Sequence, residues 1–440
     1  MAVAKATWIR AWAAVMLLML FVPGALAESS PPVVHFTLGS STQGRVIEGV
    51  RIGSGPRKLA LIGNTHGGPE ANTYELVKQL ATYFEAHPGD VPAGIRLDIV
   101  PTINPDGLAL GTRQNANGVD LNRNMDTSAD SCPENDWQHV VEGAYGIVSP
   151  TGGPYPESEV ESRIVRDFLL DANAVVFFHS NAGVVFPACD HQPSITLAKI
   201  FADGAHYSFI PKWNKYAITG GMHDWAGGLG IAAITPELVT GDQPEYEQNL
   251  GGVQALLKVG APLLPSPQEH REGGLPVQPV IWRAWKTWGA QALFGQPLEP
   301  PRRTADGWSQ LFERARFEYR PAQSDSTSVV QLALLGRDSV GRAAPAVSAD
   351  PNARFFSETG HNLAAPFADY WQTNGGLPMF GLPLTEAETS AESDPPRLRQ
   401  VFERGVLEQG SNGHIALLPL GRQLWAQGDM HTPTSGVQAR

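Results

Sequence analysis

The chain has 440 residues, 42% of them hydrophobic and 17% charged, which describes a globular protein of two or three domains and excludes a disordered one. Its formal net charge of −12 weighs against nucleic acid or an anionic membrane as the principal partner, because both repel an acidic surface.

Lys5 and Arg10 flank the start of an apolar stretch over residues 11–22, and Ala25-Leu26-Ala27 follows with the small-x-small spacing of a signal peptidase site. The alternative is an uncleaved anchor, but the stretch is short for a membrane span. Residues 1–27 are therefore expected to be a signal peptide cleaved after Ala27, and the protein to be secreted. In that compartment Cys132 and Cys189, the only cysteines, are a candidate disulfide pair.

Apolar runs and amphipathic segments alternate over residues 28–262. Residues 59–63, 97–101, 174–178 and 231–234 read as strands. Leu76, Val77, Leu80, Ala81 and Phe84 recur at helical spacing, as do Val160, Ile164, Val165 and Phe168. Strands interleaved with helices predict an α/β sheet covered on both faces. A linker is expected over 263–279, and the sequence then repeats itself. Trp285-Lys286-Thr287-Trp288-Gly289 answers Trp371-Gln372-Thr373-Asn374-Gly375, and Phe294-Gly295-Gln296-Pro297-Leu298 answers Phe380-Gly381-Leu382-Pro383-Leu384. Phe312-Glu313-Arg314 and Leu335-Gly336-Arg337 return as Phe402-Glu403-Arg404 and Leu420-Gly421-Arg422. Matching blocks in one order define two repeats, 280–342 and 353–425, joined by 343–352 and followed by a tail, 426–440.

Four segments carry groups suited to chemistry. His66 and Glu70 follow the first of these strands, where open α/β sheets gather their ligands, and both residue types bind zinc. The turn-rich stretch Asn104-Pro105-Asp106-Gly107 leads to Arg113 and to Asp120-Leu121-Asn122-Arg123-Asn124. It is either a held loop with two guanidinium forks for carboxylates or a solvated surface loop. His179 and Ser180 end one apolar strand and Glu237 ends another. Taken singly, His179 reads as a core histidine and Glu237 as a solvated acid.

In company and in this order, the four segments resemble the carboxypeptidase A family of zinc metallocarboxypeptidases, over roughly residues 60–241. The Asn-Pro-Asp-Gly, Arg, Asp-x-Asn-Arg-Asn series carries most of that resemblance, and Tyr216 to Trp225 is similar to the family's segment with a mobile tyrosine and the floor of the specificity pocket. The resemblance implies a mixed central sheet with helices on both faces, followed here by a smaller repeat-containing domain. It implies one Zn²⁺ per chain on His66, Glu70 and His179, with Asp120 orienting His66. It makes Glu237 the general base, Arg113 the stabiliser of the oxyanion, and Asn122 and Arg123 the clamp on a terminal carboxylate. Tyr216 would close over the substrate, with Ser180 and His223 also touching it. The family's usual spacing between its first histidine and glutamate is three; here it is four, with Pro69 in the added position. The implied activity is hydrolysis of the C-terminal peptide bond of substrates with a free C-terminus.

Two other readings compete. One is a zinc amidase acting on cell-wall peptides. The other is a non-catalytic cell-wall or polysaccharide binding protein, since the C-terminal pair loosely resembles LGFP-type repeats of exported bacterial proteins. Trp285, Trp288 and Trp371 could then stack on sugars, although such aromatics more often form the core of a repeat.

Overall fold

The computed structural model describes residues 31–143, 146–321, 329–341, 344–390 and 395–428. The expected signal peptide lies outside them, as does most of the expected tail. Among the described residues no helix is long and apolar enough to cross a membrane.

The chain opens with β1 (Val33–Ser40), β2 (Val46–Ile52) and β3 (Arg57–Ile62), then α1 (Asn72–Ala86), β4 (Ile95–Val100) and α2 (Pro105–Leu110). A small hairpin, β5 (Val141–Glu142) and β6 (Val148–Ser149), precedes α3 (Val160–Leu169). Then come β7 (Ala174–Phe177), β8 (His179–Ser180), β9 (Val184–Pro187), α4 (Gln192–Ala205) and β10 (Ser208–Phe209). This first part ends with α5 (Met222–Gly228), β11 (Ala232–Leu238) and α6 (Tyr246–Val259). One nine-stranded sheet runs β1-β2-β4-β3-β7-β11-β9-β10, with β8 paired to β11. Its centre, β4-β3-β7-β11, is parallel, and β1, β2 and β9 make antiparallel pairs. The sheet is thus mixed, as the resemblance implied.

The apolar runs are continuous because the central strands are buried on both faces. Leu59, Leu61, Ala174, Val176 and Ile234 face a core shared with α1, α4 and α6. Ala60, Ile62, Val175, Phe177 and Ala233 face the other core, with Val165 and Phe168 of α3 and Trp225 of α5. Each strand shows the period of two expected of a pleated sheet.

That second core continues into the C-terminal region. Residues 263–279, read as a linker, hold a hairpin of β12 (His270–Glu272) and β13 (Leu275–Val277). Next come α7 (Pro279–Thr287), α8 (Ala290–Phe294), β14 (Arg302–Arg303), β15 (Trp308–Leu311), β16 (Arg316–Tyr319), β17 (Val330–Leu332) and α9 (Leu335–Val340). After β18 (Arg354–Phe356) and β19 (His361–Leu363), the same succession returns. It comprises α10 (Phe367–Thr373), α11 (Gly376–Phe380), β20 (Glu388–Ser390), β21 (Arg397–Val401), β22 (Val406–Gln409), β23 (Ile415–Leu417) and α12 (Leu420–Ala426).

The shared sequence blocks make the same contacts in each half. The indoles of Trp285 and Trp371 donate to the carbonyls of Gly295 and Gly381, and Pro297 and Pro383 bridge to Phe312 and Phe402. The closing Leu-Gly-Arg block then crosses over. The backbone N–H of Arg337 donates to Glu403 and that of Arg422 to Glu313, at 2.9 and 3.0 Å. A Cβ on Gly336 or Gly421 would fall 2.0 or 1.9 Å from the carbonyl oxygen of Phe402 or Phe312, so only glycine permits this approach. Each half is completed by the other.

Three of the indoles named above are core. Trp285, Trp288 and Trp371 are 4%, 8% and 3% exposed, which leaves them no face for sugar stacking. Arg283 of α7, also buried, donates to the carbonyls of Leu229, Leu170 and Ala172 at 3.0, 2.9 and 2.8 Å. It thereby satisfies main-chain acceptors just ahead of β7 and β11, the strands that deliver His179 and Glu237.

Candidate active site

The polar groups converge at the carboxyl ends of β3, β7 and β11. After β3 the chain enters a single 3₁₀ turn, Gly68–Glu70. Gly68 sits at φ +54°, a left-handed conformation that glycine adopts freely. This turn absorbs Pro69 and brings the carboxylate back, with Glu70 Oε1 2.8 Å from His66 Nδ1. The four-residue spacing therefore does not part the two groups. From β8, His179 Nδ1 lies 3.0 Å from Glu70 Oε2 and 3.2 Å from His66 Nδ1. The three side chains are buried, and their ligand atoms lie within 4.8 Å of one another.

This donor set fits zinc. Two imidazoles and a carboxylate are ordinary zinc ligands. With Zn–N bonds of about 2.0–2.1 Å, nitrogens at the separation seen here subtend roughly 100° at the ion, close to a tetrahedral angle. The far nitrogen of His66, Nε2, lies 2.9 Å from Asp120 Oδ1. An N–H there donates to the carboxylate and leaves the Nδ1 lone pair directed at the cluster. Asp120 also accepts from Arg113 Nε at 3.0 Å, and Arg113 Nη1 reaches Glu70 Oε1 at 2.5 Å.

The electrostatics suit ligation at Glu70 and His179, whereas at His66 burial and Arg113 are outweighed by the Glu70 and Asp120 carboxylates, which raise its pKa, and a metal would displace its proton. Burial opposes ionisation of Glu70, but His66, Arg113 and a hydrogen bond from His179 outweigh it and hold the carboxyl well below the usual range. Burial pushes His179 down to about 4, so it stands as a neutral donor. Glu237, in register with His179 on neighbouring strands, behaves differently. Burial and the Glu70 carboxylate push it up to about 8, with Arg113, His66 and Lys215 pulling the other way. A carboxyl tuned towards neutral pH is suited to taking and returning a proton.

These groups line a cavity of 510 Å³, together with Arg123, Tyr216, Ser180 and Lys215. Arg123 is 1% exposed. Its Nη1 donates to the Asn122 carbonyl, its Nε has no partner, and no carboxylate pairs with it among the described residues. A buried guanidinium left in this state is a ready seat for a carboxylate. Asn122 Oδ1 accepts from the Met222 N–H at 2.9 Å, pinning this turn to α5. Tyr216 lies with its ring 5.7 Å from the Arg123 guanidinium. The Ser180 hydroxyl donates to Asn72 Oδ1 at 3.0 Å.

One expected contact is corrected. His223 does not line the cavity. It is packed behind it, edge-on to Phe186 and 3.3 Å from Asp224 Oδ2. The acids and amides of the Asn-Pro-Asp-Gly block also have structural work. Asn104 accepts from the Gly107 N–H and donates to the Thr65 carbonyl beside His66, while Asp106 is held by Ser41 and Arg45. Lys215, Trp213 and Ile218 line the cavity and were not singled out from the sequence; nothing in their residue types marked them, and only the neighbouring Tyr216 could have. Cys132 and Cys189 are bonded to each other.

The zinc carboxypeptidase family model matches residues 24–250, more than half of the chain. The chain belongs to the zinc carboxypeptidase family. It is thus a metallopeptidase by family. The chain is 30% identical over 237 residues to carboxypeptidase B of Astacus astacus, covering 44% of this chain and 74% of that protein. It is 27% identical over 182 residues to murein peptide amidase A of Escherichia coli strain K12, covering 40% and 69%. Among solved structures, the murein-tripeptide amidase of E. coli O157 is similar at 23% identity, with 56% of this chain and 98% of that one covered and a TM-score of 0.40.

Proposed function

We propose that this zinc carboxypeptidase family member is an exported exopeptidase that removes the C-terminal residue of peptides with a free carboxylate. The observation that carries the reading is Arg123, a buried and carboxylate-free guanidinium facing the same cavity as the His66, Glu70 and His179 cluster.

His66, Glu70 and His179 would hold zinc. Bound there, zinc supplies a Lewis acid that acidifies water and polarises a carbonyl. The chain's own groups do the rest. Arg123, supported by Asn122, receives the terminal carboxylate and sets which bond is reached. Glu237 accepts the proton of the attacking water and delivers it to the leaving nitrogen. Arg113 faces the negative charge that develops on the carbonyl oxygen. Asp120 keeps His66 in the tautomer that presents Nδ1. Tyr216, beside Arg123, closes the mouth and limits water.

The similarity to murein peptide amidase A favours a second reading, an amidase on cell-wall peptides with the same residues in the same roles. Assays on a free-ended peptide, its C-terminal amide and muropeptides separate the two. Cleavage of the free-ended peptide alone supports the exopeptidase. Cleavage of muropeptides without the ordinary peptide supports the amidase. Hydrolysis of none of them contradicts both.

A further inference from the structure

A second cavity, 380 Å³, lies between α3 and the α10–α11 turn and shares no lining residue with the catalytic cavity. Its apolar wall includes Ile164, Phe168, Trp371 and Leu377, and Arg163, Arg166 and Arg354 stand on it. Arg166 is neutralised by Glu157 and Asp167, at 2.7 and 2.8 Å. Arg163 donates only to the carbonyls of Glu157 and Ser158. Arg354 lies over the rings of Phe356 and Trp371, 4.7 and 5.2 Å from their centres. Neither Arg163 nor Arg354 forms a salt bridge among the described residues, although the Glu159 and Glu157 carboxylates act on Arg163 from farther away. Asp167, the acid on the wall, is already engaged by Arg166 and by the indole of Trp288 at 2.9 Å. A chain of net charge −12 thus places surplus positive charge on an apolar hollow.

The first C-terminal half supplies an internal comparison. Its equivalent turn also meets α3, but there Trp288 fills the contact, donating to Asp167, lying 5.9 Å from Arg166 and stacking on Phe317. In the second half Asn374 stands where Trp288 stands in the first, followed by Gly375 and Gly376.

We propose that the cavity is a second binding site, for a small organic carboxylate with an apolar body. Half-buried Arg163 and exposed Arg354 at the rim seat the anion, since a guanidinium fork matches a carboxylate. Ile164 and Leu377 cover the body. The volume falls within the range of small-molecule sites. The proposal does not depend on the peptidase reading, because the two cavities share no residue.

Calorimetric titration of the full chain with 1-naphthoate tests it, with 1-naphthylmethylammonium as a cation of the same shape. An Arg123→Ala background removes carboxylate binding in the catalytic cavity. Saturable naphthoate binding is expected to persist there, to weaken about tenfold with Arg354→Glu, and to weaken with Asn374→Trp, which adds an indole beside the lining residues Gly375 and Gly376. The ammonium probe is expected not to bind. In an otherwise unaltered chain, Arg354→Glu and Asn374→Trp are expected to leave peptide hydrolysis unchanged. Failure of naphthoate to bind in the Arg123→Ala background, equal binding of the two probes, or affinity indifferent to Arg354→Glu overturns the proposal. Should Asn374→Trp lose its cooperative melting transition, Arg354→Glu decides alone.

Discussion

His66 and His179 lie 113 positions apart in the chain yet present the same ring nitrogen to one another, Nδ1 to Nδ1 at 3.2 Å, with the Glu70 carboxylate touching both. Two adjacent parallel strands, β3 and β7, create this meeting, and β11 beside them brings Glu237 into register with His179. The fold thus delivers two imidazoles and two carboxylates to one end of three neighbouring strands.

Replacing Glu237 with Gln keeps the shape of the side chain and removes its capacity to carry a proton. Turnover on a free-ended peptide is expected to fall about 10²- to 10⁴-fold, with zinc content unchanged. Paired steady-state kinetics and metal analysis check this. A Gln variant turning over at the parent rate removes Glu237 from the mechanism.

Arg123→Ala is expected to lower kcat/KM for free-ended peptides by roughly ten- to a hundredfold, as for a lost hydrogen bond to a charged group. The same peptides as C-terminal amides should barely respond. Equal losses on both would mean that Arg123 supports the fold rather than the substrate.

Lys215 adds a cation to the cavity wall, 4.9 Å from the centre of the Trp213 ring, and acts on Glu237 without forming a salt bridge among the described residues. Peptides ending in Glu are therefore expected to be better substrates than those ending in Lys, and Lys215→Glu is expected to reverse the order. Rates on a peptide pair differing only in the last residue provide the readout. An order unchanged by the substitution excludes Lys215 from selectivity.

The fold has an acid-sensitive joint away from the site. Lys58 and Arg96 contact Asp171 at 2.9 and 2.7 Å, linking β3 and β4 to the connection before β7. Burial works against ionisation of Asp171, but the two cations outweigh it and depress its pKa. A depressed carboxyl contributes stability that is present above its unfolded value, about 3.9, and is lost as pH falls towards the folded value. Asp171→Asn is expected to cost about 1.5–3 kcal/mol at neutral pH, because it removes the nearer carboxylate and leaves Lys58 and Arg96 only their longer contacts to Asp98, at 3.7 and 3.5 Å. Its stability should also fall less steeply than the parent's below about pH 4. Denaturant titrations across that range measure both effects; parallel curves with equal midpoints would contradict them.

Much of this architecture was legible in the sequence. The strands at 59–63 and 174–178 read as buried because Leu59 and Ala60, or Val175 and Val176, face opposite cores, and Leu76, Val77, Leu80, Ala81 and Phe84 mark the buried side of α1. The positions of His66, Glu70, His179 and Glu237 were legible only together, since a histidine or acid at one strand end is ambiguous by itself. Three features were not legible, each for a physical reason. Lys215 and His223 both lie between β10 and β11, and only the path of the chain into α5 decides that the first faces the cavity and the second packs against Phe186. The crossing of the Leu-Gly-Arg blocks between the C-terminal halves is a long-range pairing, and repetition alone is equally compatible with two separate beads. Arg283 looks like any helical arginine until its guanidinium is found among the carbonyls of Leu170, Ala172 and Leu229.

Zinc analysis of the purified chain beside its His179→Ala variant, each assayed on a free-ended peptide before and after chelation and zinc return, tests the central claim most directly. One zinc ion per parent chain is expected, with hydrolysis lost on chelation and restored by zinc, and with the variant neither retaining the metal nor recovering activity. A variant that binds zinc as the parent does, or a parent chain that hydrolyses the peptide fully after chelation, would contradict the account.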